Sequence, residues 1–458
     1  MSTIWATIVK RFKAPALPKP PPEYDKSYQD NFVNVLRLYF NQLDNLLGQL
    51  VATTDSSVPV SIGGTNVDAF GRVRVSNPLT LFDSSHRFTD NNLWVNSITG
   101  TASATFNTNQ GLVDLTVGTA SGDQIIRETI KVFAYQPGKS LLVMNTFAMN
   151  AAKANLRQRV GYYGASNGFY LEQDGTNVYF VERSLVTGAV TNTQVAQADW
   201  NQDTLNGTGA SGITLDLSKA QILYMDVEWL GVGTVRMGFI IDGVFVPAHS
   251  FQHANLITTT YITTASLPLR YEIANTGVTA SSSTMKQVCS TVISEGGYEL
   301  RGLQQAIGTT ITSPRTLTTA GALYPVISIR LKSTRLDGIV ILTALSIMGI
   351  TNNANYQWRV VASGTTTGGT WVSAGTDSSV EYNLTGTATS GGRILASGYF
   401  QGSNQGSTTI DILKAALFSF QLERNSFTAT PYELTLVCTG STGGDQLHAS
   451  MDWEEVSR

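Results

Sequence analysis

Between residues 24 and 50 the apolar positions recur at helical spacing. Phe32, Leu36, Tyr39, Leu43, Leu46 and Leu50 follow one another at intervals of four, three, four, three and four. This is the a/d pattern of a coiled coil, and it predicts an amphipathic helix over residues 24–51. Pro22 and Glu23 suit its first turn, and Asp25 favours the positive end of its dipole. Val33, Val35, Leu38, Phe40 and Leu47 widen the stripe beyond a strict seam. A helix this apolar has to pack, either on copies of itself in other chains or on the chain's own β body. An apolar or aromatic residue at every a/d position favours self-association, here expected to be a homotrimer.

Residues 1–23 form a Pro-rich arm. Pro15, Pro18, Pro20, Pro21 and Pro22 oppose helix and favour an extended polyproline conformation. The arm is either a disordered leader or a strap laid on a neighbouring subunit. Trp5, Ile8 and Phe12 would be the strap's apolar anchors, and Pro20, Pro21 and Pro22 its stiff segment. No secretory signal is expected, because the Ile4–Val9 run is short and Lys10, Arg11 and Lys13 follow it instead of preceding it. The longest apolar stretch, Ile339 to Ile350, is broken by Thr343 and Ser346 and fits buried strands better than a membrane span.

After the helix the period changes to two. Val58–Val60 and Val73–Val75 alternate briefly. Met225, Val227 and Trp229 fall on one strand face, with Tyr224, Asp226 and Glu228 on the other. Val235, Met237, Phe239 and Ile241 continue the alternation up to Asp242-Gly243. Asn167-Gly168, Asp174-Gly175 and Asp242-Gly243 all read as type I′ hairpin dipeptides. The Glu295-Gly296-Gly297 turn and the stretch to Thr310 mark a boundary. Beyond it, Ile327, Ile329 and Leu331 alternate with Ser328, Arg330 and Lys332, and Trp358–Val361, Leu417–Leu422 and Tyr432–Cys438 read as strands. The Gly/Thr/Ser stretches 363–370 and 385–392 read as loops. The expected fold is mainly β, with two antiparallel β-sandwich domains of jelly-roll or lectin-like type. They span 52–300 and 301–458, after the arm (1–23) and the helix (24–51).

Composition narrows the class. Charged residues are 14% of the 458, against about 25% in an average soluble protein. The net charge of −3 gives no field that would favour nucleic acid or a membrane surface. A surface of Ser, Thr, Asn and Gly suits extracellular β proteins and virion proteins. The two cysteines, Cys289 and Cys438, sit far apart in apolar runs and read as buried free thiols, although a disulfide between them stays open.

Candidate chemistry is sparse. Gly207-Thr208-Gly209-Ala210-Ser211-Gly212 matches the dinucleotide fingerprint by letter, but a strand-like run follows it where a helix is needed. Pro137-Gly138-Lys139-Ser140 resembles the tail of a phosphate loop, but Phe133 stands where the first glycine belongs. No cofactor is expected. Asp226 and Glu228 would share a strand face about 7 Å apart, as in jelly-roll glycosidases. Tyr224 stands where those enzymes usually carry a third carboxylate, so a solvated strand face is the plainer reading. Glu272 and Glu295 lack visible partners. His249 and His253 are spaced for a metal only on a helix, and their context is not helical.

Several stretches together resemble virion structural proteins of tailed, cyanophage-like bacteriophages. Pro20-Pro21-Pro22-Glu23-Tyr24-Asp25 followed by Leu36–Asp44 resembles their leader helix, and Ala69–Pro78 the start of their β body. Tyr135–Ser140, Glu228–Gly233 and Cys289–Gly297 extend the likeness to about residue 300. The resemblance implies a non-enzymatic component located in the virion and assembled in the host cytoplasm. It does not say where on the particle the protein sits; the expected role is a capsid-associated decoration or fibre protein, docking on other virion proteins (capsid, neck or tail) through its arm and helix. The alternative is a tail or neck protein with a carbohydrate-binding sandwich, for which Trp358, Trp371 and Tyr399 are the candidate aromatic contacts to host-surface glycans.

Overall fold

The computed structural model describes residues 26–52, 77–296, 302–402, 408–409 and 420–457, the side chains of 41–52, 408–409 and 457 excepted. The anchor residues Trp5, Ile8, Phe12, Pro20, Pro21 and Pro22 lie outside the described residues, as do the Val58–Val60 and Val73–Val75 runs. The chain divides into two units, Met1–Val75 and Ser76–Arg458.

In the first unit, helix α1 runs Lys26–Ala52, about 40 Å at 1.5 Å per residue. None of its described side chains is buried. Phe32, Leu36 and Tyr39 are half-exposed, while Val33, Leu38 and Phe40 are 55%, 53% and 56% exposed. Tyr28 and Phe32, one turn apart, stack with ring centroids 6.1 Å apart. Of the predicted seam, the side chains of Leu43, Leu46 and Leu50 lie outside the described residues.

The second unit is mainly β and antiparallel. Its strands between Leu79 and Ser294 form an eight-stranded and a seven-stranded sheet. Those between Leu303 and Ser457 form a five-stranded and a six-stranded sheet. In the eight-stranded sheet, β6 (Leu141–Ala148) lies between β11 (Gln221–Val227) and β15 (Ser283–Ser294), and β12 (Val235–Ile241) flanks β11. In the seven-stranded sheet, β7 (Leu156–Tyr163) lies between β8 (Gly168–Asp174) and β14 (Leu269–Asn275), and β9 (Asn177–Ser184) flanks β8.

Period-two patterning explains the layers. Leu223, Met225 and Val227 of β11 and Val235, Met237 and Phe239 of β12 are fully buried and join the core of the first pair of sheets. Val326, Ile327, Ile329, Leu434, Leu436 and Trp453 belong to a separate core in the second pair.

The turns are more varied than their dipeptides. Asp242 and Gly243 sit between the paired residues Ile241 and Val244 with φ of 52° and 79°, the type I′ pattern expected. In Asp174-Gly175, Asp174 itself pairs with Asn177, so Gly175 (φ 59°) opens a Gly175-Thr176 turn of the II′ kind. Asn167-Gly168 closes a longer loop after the Tyr163–Gly168 pair.

Two Gly/Thr/Ser stretches read as loops are largely strand. β20 (Asn355–Thr367) and β23 (Ala388–Gln401) pair along nearly their whole length, with Gly364 opposite Gly391 and Thr367 opposite Ala388. The glycines hide the alternation, while Thr366 turns inward to share hydroxyl hydrogen bonds with Ser328 and Thr435 at 2.8 and 3.2 Å. The strand expected at Leu417–Leu422 is not formed over its described part. Phe420–Leu422 contributes an isolated bridge between Gln421 and Ile341.

Leu436 is fully buried in the second core. Leu436→Ala should therefore cost about 2–5 kcal/mol, read as a lower urea midpoint; an unchanged midpoint would contradict the core packing described.

Candidate functional site

Three loops converge where β6, β11, β12 and β15 end on one side of the eight-stranded sheet. The first precedes β6. Gln136-Pro137-Gly138-Lys139 places proline second and a glycine with φ of 84° third, closed by Lys139 N–H donating to the Gln136 carbonyl at 3.2 Å. That is a type II turn, in which proline presets φ and only glycine adopts the third position freely. The second loop joins β11 to β12, and the third follows β15 at Glu295 and Gly296. The Glu295 N–H donates to the Ser140 carbonyl at 2.8 Å, so the first and third loops are joined. A Cβ on Gly296 would lie 2.8 Å from Lys139 Cδ, so the lysine stem occupies the space this glycine leaves.

Between the loops lies an open cavity of about 500 Å³. Asp226, Glu228 and Glu295 bring carboxylates to it, and Lys139 and Arg236 bring cations. Ser140 and Thr234 add hydroxyls. Asp226 is paired with Arg236, directly opposite it in the β11–β12 ladder. Glu228 is exposed and lies one residue beyond the end of β11. Gly138, Lys139 and Ser140, then Glu228, then Glu295, far apart in sequence, thus line one cavity.

The 228–234 loop is tightly held. Leu230 and Gly231 both adopt positive φ, 38° and 80°. For leucine this is a strained conformation that its surroundings must impose. The Tyr261 hydroxyl donates to the Glu228 carbonyl at 2.7 Å, and the Tyr261 N–H donates to the Gly231 carbonyl at 3.0 Å. The Trp229 N–H donates to the Tyr135 hydroxyl at 3.0 Å, and its indole N–H donates to the Ile262 carbonyl at 3.3 Å.

His253 completes the clamp. Its Nδ1 lies 2.6 Å from the Gly233 carbonyl and its Nε2 lies 2.7 Å from Glu182 Oε2. A carbonyl accepts only, and so does an ionised carboxylate, so both ring nitrogens are placed to donate, the arrangement that favours the imidazolium. Burial opposes the charge, but the Glu182 carboxylate and the Gly233 carbonyl outweigh it and raise this histidine above its ordinary value. Its ring stacks on Tyr261 at 3.8 Å.

A second polar cluster covers the outer face of the seven-stranded sheet. Arg159 on β7 bonds Glu172 on β8 at 2.5 Å and Glu272 on β14 at 3.0 Å. Tyr163 and Tyr170 lie 4.4 Å apart, with Arg183 over both rings. Burial alone would raise the Glu272 carboxyl, but Arg159, Arg270 and Arg157 hold it below the usual range. Glu172 and Tyr163 are fully buried, so this cluster is a closed brace with no access for a ligand. Glu272, without a visible partner in the sequence, thus has guanidinium partners, and Glu295 lines the cavity.

The remaining candidates separate. Trp358 belongs to the second core and lies against Gly398. Trp371 is half-buried beneath the Arg330 guanidinium, 3.9 Å from its ring centroid. Tyr399 is 78% exposed and accepts a hydrogen bond from Gln357. These three therefore form no common sugar-stacking platform. In the Gly207–Gly212 stretch the Asp203 carboxylate accepts from the Leu205 and Ser211 amides at 2.8 and 2.6 Å, and among the described residues no helix follows. Cys438 is buried and Cys289 half-buried, and both are free thiols. Among the described residues no group of three His, Cys, Asp or Glu side chains is arranged to hold a metal.

No protein-family model and no curated protein matches the sequence. Solved structures similar to part of the chain include a carbohydrate esterase of the Shiga toxin-encoding bacteriophage phi24B. It is 14% identical with a TM-score of 0.29, over 48% of this chain and 100% of that one. The CBM2 module of an evolved Dit protein from Lactobacillus casei BL23 phage J-1 is 8% identical with a TM-score of 0.30, over 49% and 100%. Arcelin-5, a lectin-like defense protein from Phaseolus vulgaris, is 10% identical with a TM-score of 0.30, over 48% and 99%. These neighbours thus include phage proteins and lectin-like domains.

The raised His253 value fixes a pH dependence. The stability it contributes is fully present below the ordinary imidazole value of 6.5 and is lost as pH rises through the raised value. Glu182→Gln should cost about 1.5–3 kcal/mol on the acid side, and less as pH rises. Urea unfolding of both proteins across this range measures it; a cost independent of pH would rule out the imidazolium.

Proposed function

We propose that this chain is a non-enzymatic structural protein of a phage particle, a homotrimer that docks on the capsid through its N-terminal arm and helix. One observation carries the reading: within the described residues of its own unit α1 buries no side chain, although it bears Phe32, Val33, Leu36, Leu38, Tyr39 and Phe40. Each large apolar side chain left in water forgoes about 1.5–3 kcal/mol of burial. The a/d spacing suits a bundle of copies, which would cover the stripe. The resemblance of the 20–44 and 69–78 segments to virion proteins supports the location. The non-enzymatic reading draws support from carboxylates already engaged by guanidinium groups, Asp226 by Arg236 and Glu172 and Glu272 by Arg159.

The second reading, a tail or neck protein with a carbohydrate-binding sandwich, is favoured by the cavity at the end of β11, to which the described residues bring Lys139, Ser140, Asp226, Glu228, Thr234, Arg236 and Glu295.

Light scattering tests the assembly. Wild-type protein should show three times the chain mass of 49.3 kDa, and Leu36→Asp with Tyr39→Asp should reduce it to a monomer with an intact β signal in circular dichroism. A wild-type monomer, or an unaffected trimer in the double variant, would sink the proposal.

A further inference from the structure

A second histidine sits where a positive charge is poorly tolerated. His86 follows β1 (Leu79–Ser85) and opens the loop that runs to β2 (Trp94–Thr99). Its side chain is fully buried. Among the described residues, the charged groups facing its ring are Arg127 and Asp90. Arg127 comes from β5 (Gln124–Thr129) and is itself fully buried. Asp90 belongs to the same loop, with Oδ1 3.8 Å from His86 Nδ1. From β15 the ring meets the uncharged Gln287 amide, and Gly111 packs against the His86 carbonyl.

An imidazolium donates from both ring nitrogens and needs two acceptors. Gln287 and Asp90 could supply them, but both already accept from Arg127. Its Nε donates to Gln287 Oε1 at 2.5 Å, and its Nη2 donates to Asp90 Oδ1 at 2.6 Å. A proton on His86 therefore places two buried cations on shared acceptors, away from water. Burial and then the Arg127 charge hold this imidazole below its ordinary value, and the Asp90 carboxylate only partly opposes them.

The segment that carries His86 can leave without dismantling the core. β1 pairs with one strand only, along Cys289–Ser294 of β15, and its register is broken between Thr80 and Phe82. Of its residues only Phe82 and Ser84 are buried. β2 is an edge strand bonded to β5 alone. Between them, Asn91 Nδ2 donates to Ser84 Oγ at 2.6 Å, and Asp90 ties the loop to Arg127. The core strands β7 and β14 each pair on both sides. Elements with few buried contacts open at lower free energy than the core does.

We propose that His86 is a pH latch: its protonation frees β1 and the loop to Leu93 from β15 and β5 while the two sheets stay folded. The open flap takes up the proton at the ordinary imidazole value, and the closed flap only below it. The advantage of the closed state is therefore fully present above pH 6.5 and is lost as pH falls below it. The His253 clamp responds in the opposite sense and strengthens in acid. Opening uncovers the Cys289–Ser294 flank of β15 and the Phe82 ring.

Amide exchange of the full chain, read by mass spectrometry from about pH 8 to about pH 5 and corrected for the intrinsic rate, tests the latch. Below pH 6.5 the Leu79–Leu93 segment should lose protection by up to about tenfold per pH unit, the limit for one proton. Leu156–Asp174 should keep its protection. His86→Gln, which cannot take up the proton, should keep the flap closed in acid. Deuterium exchange at the His86 ring carbon of the unaltered protein gives a second measurement that needs no variant. The ring should titrate below 6.5, together with the opening. Acid opening retained by His86→Gln, or a His86 ring that titrates at or above the ordinary value, would overturn the proposal. So would a flap equally protected across the range, or flap and core losing protection together.

Discussion

In β11 every second side chain, Leu223, Met225 and Val227, is turned into the core, so Tyr224 and Asp226 must find their partners on the outer face. Antiparallel pairing then decides who those partners are. Asp226 lies opposite Arg236, and Tyr224 lies opposite Gly238, over which its ring is laid. The same constraint on β7 and β14 sends Val160, Tyr162, Tyr271 and Ile273 inward and leaves Arg159 and Glu272 to pair outside. Both the closed brace and the open cleft follow from alternation in a sheet whose other face is already filled.

The brace and the cleft differ in what surrounds the charges. In the brace, guanidinium groups and aromatic rings cover the carboxylates, and the cost of burying charge is offset by pairing. In the cleft, the charges stand at the ends of strands, where loops replace neighbouring strands and water has access. The positive φ of Leu230 sits in one of those loops and is maintained by Tyr135, Tyr261 and His253, which reach it from other parts of the chain. Strain of this kind persists only where several contacts impose it.

Few charges and many small polar residues shape the second pair of sheets in a related way. The β20–β23 hairpin runs through Gly- and Thr-rich sequence that has little apolar alternation. Its ladder is continued by backbone pairing and by the Ser328, Thr366 and Thr435 hydroxyls, which satisfy one another inside the sheet. A low-charge chain thus builds regular strands where composition alone reads as loop.

The sequence by itself determined the mainly β class, the helix, the alternation of β11 and β12 and the Asp242-Gly243 turn. These depend on neighbours only a few residues apart: the period of apolar positions, and which residues tolerate positive φ. It also pointed to Asp226, Glu228 and the Pro137–Ser140 turn as polar features, without showing that they share a cavity. Only the tertiary structure decided that. Arg159 and Glu272 are 113 residues apart, and Glu182 and His253 are 71 apart. Nothing local announces such pairs, because strand order and register choose them, and those are set by how whole sheets stack. For the same reason Trp358 became a core residue while Tyr399, on the neighbouring strand, stayed in water: both are aromatic positions in strands, and only the packing of one sheet on another says which face is the inside.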